Sequence, residues 1–97
     1  DGVVPSVGNL VPKLCSQMYR AALSKNWEEA SRFQEKMNRV AMIYQANRSL
    51  GQSLAAIKAA MSVMKLCSPS VLSPLLSVRQ HECDQIEREI NTIKQVF

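Results

Sequence analysis

Residues 51–67 constrain the fold most, because nearly all of their side chains are apolar. The run GQSLAAIKAAMSVMKLC contains two charged residues, Lys58 and Lys65. Its alanines favour a helix, and its larger apolar residues recur at helical spacing. A helix that is apolar on most of its circumference has to be covered from more than one side. We therefore expect a central helix around which the rest of the chain packs. Its two apolar stripes are Leu54, Ile57, Met61 and Met64, and Ala56, Ala60, Val63 and Cys67.

Three other helices are predicted from the same spacing, at residues 11–24, 27–46 and 78–97. The first two are separated by a tight turn and should be antiparallel neighbours. Residues 68–77 contain two prolines and four serines together with apolar residues, which indicates an ordered connector lying across the core. The helical part is therefore predicted to be a small all-α bundle of about four helices.

Polar residues at the predicted helix starts indicate how these helices are capped. Asn9 is expected to cap the first helix. Asn26 precedes the second helix, with Glu29 at the capping-box spacing, and Ser77 and Gln80 repeat that spacing before the last helix.

The N-terminal residues 2–7 are predicted to be an extended, strand-like segment. They are apolar, include Pro5, and are followed by a turn at Gly8. The chain offers no second strand to pair with this one, and unpaired backbone groups are costly to bury. The segment therefore indicates a strand that belongs to a sheet whose other strands are absent, or that pairs with another molecule.

Length and charge restrict the function classes. Ninety-seven residues suffice for one small domain. The net charge is +4, but basic and acidic residues alternate, which argues against nucleic-acid binding. No apolar run is long enough to span a membrane. The cysteines, Cys15, Cys67 and Cys83, lack metal-ligand spacing, so we expect reduced core thiols in a cytoplasmic protein with no metal or cofactor.

Taken alone, the residues support no catalytic constellation. His81, the one histidine, lies on a polar helical turn with no nucleophile placed beside it by spacing. Lys58 lies within the most apolar helix and could form a Schiff base if its pKa were depressed. The favoured alternative is that its aliphatic stem lies along the core while its ammonium group reaches water.

The order of short motifs along the chain resembles that of a known family. The string DGVVPSVGNLVP is followed by NWEEA, then SLAAIKAAM, then VLSPLLSV and a final amphipathic helix. This order is similar to that of the C-terminal third of the dihydrodipicolinate synthase and N-acetylneuraminate lyase family. The resemblance covers essentially the whole chain.

The resemblance implies a fold and an activity. Members of this family are (β/α)8 barrels with a C-terminal helical region, and they cleave or condense 2-oxo acids through a lysine Schiff base. Residues 1–25 would then be the last strand and helix of the barrel, and residues 26–97 the helical extension. The chain would be a fragment that is inactive alone, because the reactive lysine lies outside it. Its implied partners are the remainder of the barrel and sister subunits of a homo-oligomer, usually a tetramer.

Two residues receive a role from the resemblance. Ser6 matches a substrate-facing serine at the end of the last strand of sialic-acid lyases, and is therefore the expected substrate-binding residue. Lys58 matches a lysine of the helical extension rather than the reactive one. No catalytic residue and no metal ligand is expected within the chain.

A free-standing helical protein-interaction module is the alternative interpretation. It would have no use for the apolar pair Val3 and Val4 ahead of its first helix. If the chain is instead a barrel fragment, its first helix has lost the surface it covered. We then expect self-association through Leu14 and Met18.

Overall fold

The computed structural model describes residues 2–97. Four α-helices follow one another: α1 (Pro12–Leu23), α2 (Trp27–Gln45), α3 (Leu50–Val63) and α4 (Gln80–Thr92). Short 3-10 helices at Ser6–Asn9 and Lys94–Val96 flank them, and residues 2–97 contain no strand. The all-α fold of about four helices is confirmed.

The central element is α2 rather than α3. Helix α2 packs against α1, α3, α4 and the first 3-10 helix, whereas α3 packs mainly against α2 and α4. On α3, Ala56 and Ala60 are completely buried, while Leu54 is 47% exposed. Small side chains let helices approach closely, so the helix buries its alanines and leaves its leucine edge near solvent. The expectation that every element packs around α3 is wrong.

The core lies where α2 meets its neighbours. Tyr44, Ile86 and Val40 are the largest side chains that are almost fully enclosed. Leu14 on α1 is 6% exposed, so it is not available for the self-association expected from the sequence. None of the helices formed by residues 2–97 is long and apolar enough to cross a membrane.

Local hydrogen bonds set the starts of α2 and α3. Asn26 caps α2 as predicted: the Glu29 amide donates to Asn26 Oδ1 (3.3 Å), and Asn26 Nδ2 donates to Glu29 Oε2 (2.9 Å). A full capping box between Ser49 and Gln52 starts α3. The bonds from the Glu29 and Gln52 amides satisfy first-turn donors that helix geometry leaves without partners.

Two lysines in the left-handed conformation terminate helices. Lys25 (φ 58°) follows α1 and Lys65 (φ 62°) follows α3. The amide of Leu66 donates back to the Met61 carbonyl (2.9 Å), which closes the end of α3. The helix therefore ends at Val63, four residues short of the predicted boundary.

Two predicted caps are wrong. The Asn9 side chain donates to the Ser6 carbonyl (2.9 Å), because residues 6–9 form a 3-10 turn, and Val11 occupies the N-cap position of α1 with no side-chain bond. Helix α4 starts two residues later than predicted. Its first turn is bound by Glu82 Oε2, which accepts from the Arg79 amide (2.9 Å), rather than by a Ser77 capping box.

The N-terminal segment and the connector each match the prediction in part. Residues 2–5 have no regular structure, and Pro5 is extended (φ −83°, ψ 133°), but a 3-10 helix replaces the end of the predicted strand. With no partner strand in residues 2–97, the segment has no ladder to join. In the connector, Leu75 lies against Gly51, whereas Leu72 and Leu76 are more than 80% exposed.

Candidate functional site

A pair of hydroxyl groups joins the N-terminal turn to α2. Ser6 Oγ lies 2.8 Å from Tyr44 Oη, across 38 residues of sequence. Tyr44 is 2% exposed, whereas Ser6 is exposed. The pair therefore connects the core with the surface. A buried tyrosine hydroxyl requires a hydrogen-bond partner, and the partner of Tyr44 is the exposed Ser6.

Backbone hydrogen bonds to the residues before and after Ser6 fix the turn that carries it. The Gly8 amide donates to the Pro5 carbonyl (3.1 Å), and the amides of Leu10 and Val11 both donate to the Val7 carbonyl (2.9 and 3.0 Å). Val7 is itself buried. These contacts hold the Ser6 backbone in place while its side chain remains at the surface.

The hydroxyl pair has hydrogen-bonding capacity to spare. Each hydroxyl group has one proton to donate, and one of the two protons is used within the pair. When Tyr44 donates to Ser6 Oγ, the Ser6 proton remains for a carboxylate, a carbonyl or a hydroxyl group at the exposed side of Ser6. The arrangement is suited to orienting a polar ligand.

A shallow groove adjoins this site on the N-terminal side. The groove lies between Val3 and Pro5 of the extended segment and Cys15 and Tyr19 of α1. Val3 is 61% exposed and Val4 completely so. The segment thus lies along α1, as a strand lies beside the following helix in a β/α unit, with its apolar side chains uncovered.

The other candidate residues do not join this site. His81 is exposed on the first turn of α4. Lys58 is half-buried on α3, and its carbonyl accepts a weak bond from Cys67 Sγ (3.9 Å). The structure places neither residue in hydrogen-bond contact with Ser6 or Tyr44.

Two of the thiols, those of Cys15 and Cys83, have raised pKa values. Burial raises the pKa of Cys15. The pKa of Cys83 is also raised, by burial first and then by the neighbouring carboxylates of Asp84 and Glu82. A raised pKa leaves little thiolate near neutral pH, which disfavours a nucleophilic role. Residues 2–97 contain no cluster of three or more side chains suited to hold a metal ion.

Tyr44 is the residue of this site that sequence reasoning missed. Tyr44 lies four residues after Val40 on the buried side of α2, and it is a core residue. The available signal was its hydroxyl group, which needs a partner wherever it is buried. That signal did not identify Ser6 as the partner, since the two residues are far apart in sequence.

Comparisons with known proteins show the family to which the chain belongs. An uncharacterized DapA-like lyase of Thermococcus kodakarensis is 29% identical over 90 residues, which are 93% of this chain and 30% of that protein. The chain therefore spans less than a third of the length of this relative. No solved structure matches the chain. The model of the dihydrodipicolinate synthetase family matches residues 1–93. Because this match covers almost the whole sequence, the chain belongs to the dihydrodipicolinate synthetase family.

Proposed function

We propose that the chain is the C-terminal part of a lyase that cleaves or forms a carbon–carbon bond of a 2-oxo acid through a lysine Schiff base. The observation that carries this proposal is the family match over residues 1–93. The lyase name of the Thermococcus relative supports it. On this proposal the reactive lysine lies outside the chain, so the chain alone has no activity.

Residues 1–25 would complete the barrel and residues 26–97 would form the helical extension. The exposed apolar pair, Val3 and Val4, supports this division, since apolar side chains next to a helix are expected to face neighbouring strands. The remainder of the barrel is then the first partner of this chain, and sister subunits of a homo-oligomer are the second. The cysteines without disulfides are consistent with a cytoplasmic location.

Ser6 is the proposed substrate-binding residue. It lies at the end of the extended segment, where the active-site end of a barrel strand would be. Its exposed hydroxyl group can donate to a carboxylate or hydroxyl group of the substrate. Tyr44 would act as a positioning residue, because its hydroxyl holds Ser6 Oγ from the core side.

The test uses the full-length protein encoded by the gene. Turnover of 2-oxo acids such as pyruvate with a panel of aldehydes is measured for the wild type, Ser6→Ala and the matched control Ser77→Ala, which removes an exposed serine of the connector. Loss of a hydrogen bond to a charged substrate should raise KM about tenfold in Ser6→Ala and leave Ser77→Ala unchanged. Equal KM values in the two variants would remove Ser6 from the site. Absence of turnover with every 2-oxo acid would contradict the activity.

A helical protein-interaction module remains the second candidate, supported by exposed leucines. Leu50 is 78% exposed, and the connector, whose Leu75 lies against Gly51, carries the exposed Leu72 and Leu76. If this candidate were correct, the gene product would lack 2-oxo acid turnover, and Leu72→Ser would abolish capture of a partner protein.

A further inference from the structure

In addition to the shallow groove beside Ser6, the molecule has a cleft between the start of α1, the middle of α2 and the C-terminal turn. It encloses about 470 Å³. Lys13 and Gln17 line it from α1, Phe33, Lys36 and Arg39 from α2, and Phe97 from the C-terminal turn. This volume falls within the range of about 300–1,000 Å³ typical of small-molecule sites.

The charged side chains that line the cleft are all positive. Lys13, Lys36 and Arg39 line it, and no acidic side chain does. None of the three cations forms an ion pair with another residue of the described part of the chain. Glu35 precedes Arg39 by four residues, a spacing that allows a pair, yet the structure forms none. Three uncompensated cations around one concave surface raise the local positive potential.

Helix stability does not explain this charge. Lys13 lies in the first turn of α1, where the helix dipole favours acidic rather than basic side chains. That turn also has no side-chain cap. A bound anion would relieve the unfavourable charge of Lys13 and would lie close to the first-turn amide groups.

The walls of the cleft are partly apolar. Phe33 and Phe97 are half-buried, and the ammonium group of Lys36 lies 5.8 Å from the centre of the Phe33 ring. A ligand that matches both surfaces therefore carries an anionic head and an apolar body. The planar fork of Arg39 and the two ammonium groups favour a phosphate head over a carboxylate, because a phosphate has more acceptor oxygens and more charge.

We propose that this cleft binds a small organic phosphate ester, whose phosphate is held by Lys13, Lys36 and Arg39 and whose apolar part lies against Phe33 and Phe97. The proposal does not depend on the lyase activity, and its test needs no turnover.

Calorimetric titration of phenyl phosphate into the full-length protein, at constant ionic strength, tests the proposal. The double variant Lys36→Gln/Arg39→Gln is compared with Arg32→Gln/Arg88→Gln, which removes two charges from exposed positions outside the cleft. All four side chains are exposed, and circular dichroism checks that both variants fold. We expect the cleft variant to bind about tenfold more weakly and the control within about twofold of the wild type.

Two comparisons define the ligand class. If the cleft selects phosphate, benzoate should bind several-fold more weakly than phenyl phosphate. If the apolar wall contributes, inorganic phosphate should also bind several-fold more weakly than phenyl phosphate. Equal affinity of the cleft variant and the control variant would overturn the site. No binding up to about 10 mM phenyl phosphate would do the same, and benzoate binding as tightly as phenyl phosphate would overturn the ligand class.

Discussion

The Ser6 and Tyr44 hydroxyl pair predicts an unequal response to two similar mutations. Ser6→Ala removes the exposed partner and leaves the buried Tyr44 hydroxyl without one. Tyr44→Phe removes the buried hydroxyl and leaves the exposed Ser6 free to bind water. Although each variant loses the same bond, only the first creates an unsatisfied buried group.

The magnitudes follow from this difference. Leaving a buried hydroxyl unpaired costs about 1–3 kcal/mol, whereas loss of the bond itself costs about 0.5–1.5 kcal/mol. Ser6→Ala should therefore destabilise the protein more than Tyr44→Phe. The double variant should be close to Tyr44→Phe alone, since Ser6→Ala then leaves no orphaned group, and the cycle should show a coupling free energy as large as the full cost of Ser6→Ala, about 1–3 kcal/mol.

Urea unfolding followed by far-UV circular dichroism measures all four proteins, with Ser77→Ala as the control for serine removal. Ser77 is exposed and the structure gives its side chain no hydrogen bond, so this variant should stay within about 0.5 kcal/mol of the wild type. The proposed role of the pair in linking core and surface is wrong in either of two cases. In the first, Tyr44→Phe lowers the free energy of unfolding as much as Ser6→Ala does; in the second, the losses of the two single variants simply add in the double variant.

Three further predictions concern other parts of the chain. Lys25→Gly should raise the free energy of unfolding by about 0.5–1 kcal/mol, measured by urea unfolding. The left-handed backbone of Lys25 is unfavourable for a residue with a side chain, and removing this strain outweighs the extra chain entropy that glycine loses on folding. Destabilisation would contradict this. The raised pKa values of Cys15 and Cys83 favour the folded state below the ordinary thiol pKa of 9.0, so stability should fall as pH rises above that value. This alkaline loss should be smaller in Cys15→Ala/Cys83→Ala, and an identical slope would refute it. On the proposed function, Lys58→Ala should leave turnover of the full-length protein within about twofold, because Lys58 has no hydrogen bond with Ser6; loss of turnover in a folded variant would contradict the assignment.

The helices could be predicted from the sequence, whereas their arrangement could not. Periodicity located all four, and the Asn26 and Glu29 pair set the start of α2, because such a cap is a local interaction. The position of α3 was misjudged because an apolar run indicates that a helix is buried, but not which helices cover it. In the structure, α2 packs against α1, α3 and α4, whereas α3 packs mainly against α2 and α4.

The helix ends and the sites also depend on features that the local sequence does not reveal. Lys25 and Lys65 adopt a backbone conformation that lysine residues do not signal, so the end of α3 was placed too late. The family resemblance predicts a substrate-binding role for Ser6, but the contact of Ser6 with Tyr44 joins residues 38 positions apart. The cationic cleft likewise depends on α1, α2 and the C-terminal turn meeting, which no local pattern specifies.

The central claim is that these helices belong to a Schiff-base lyase whose reactive lysine lies elsewhere in the protein. Borohydride reduction of the full-length protein in the presence of pyruvate, followed by peptide mapping, tests this claim most directly. We expect one covalent adduct, on a lysine outside residues 1–97. An adduct on Lys58, or no adduct in a correctly folded protein, would contradict the claim.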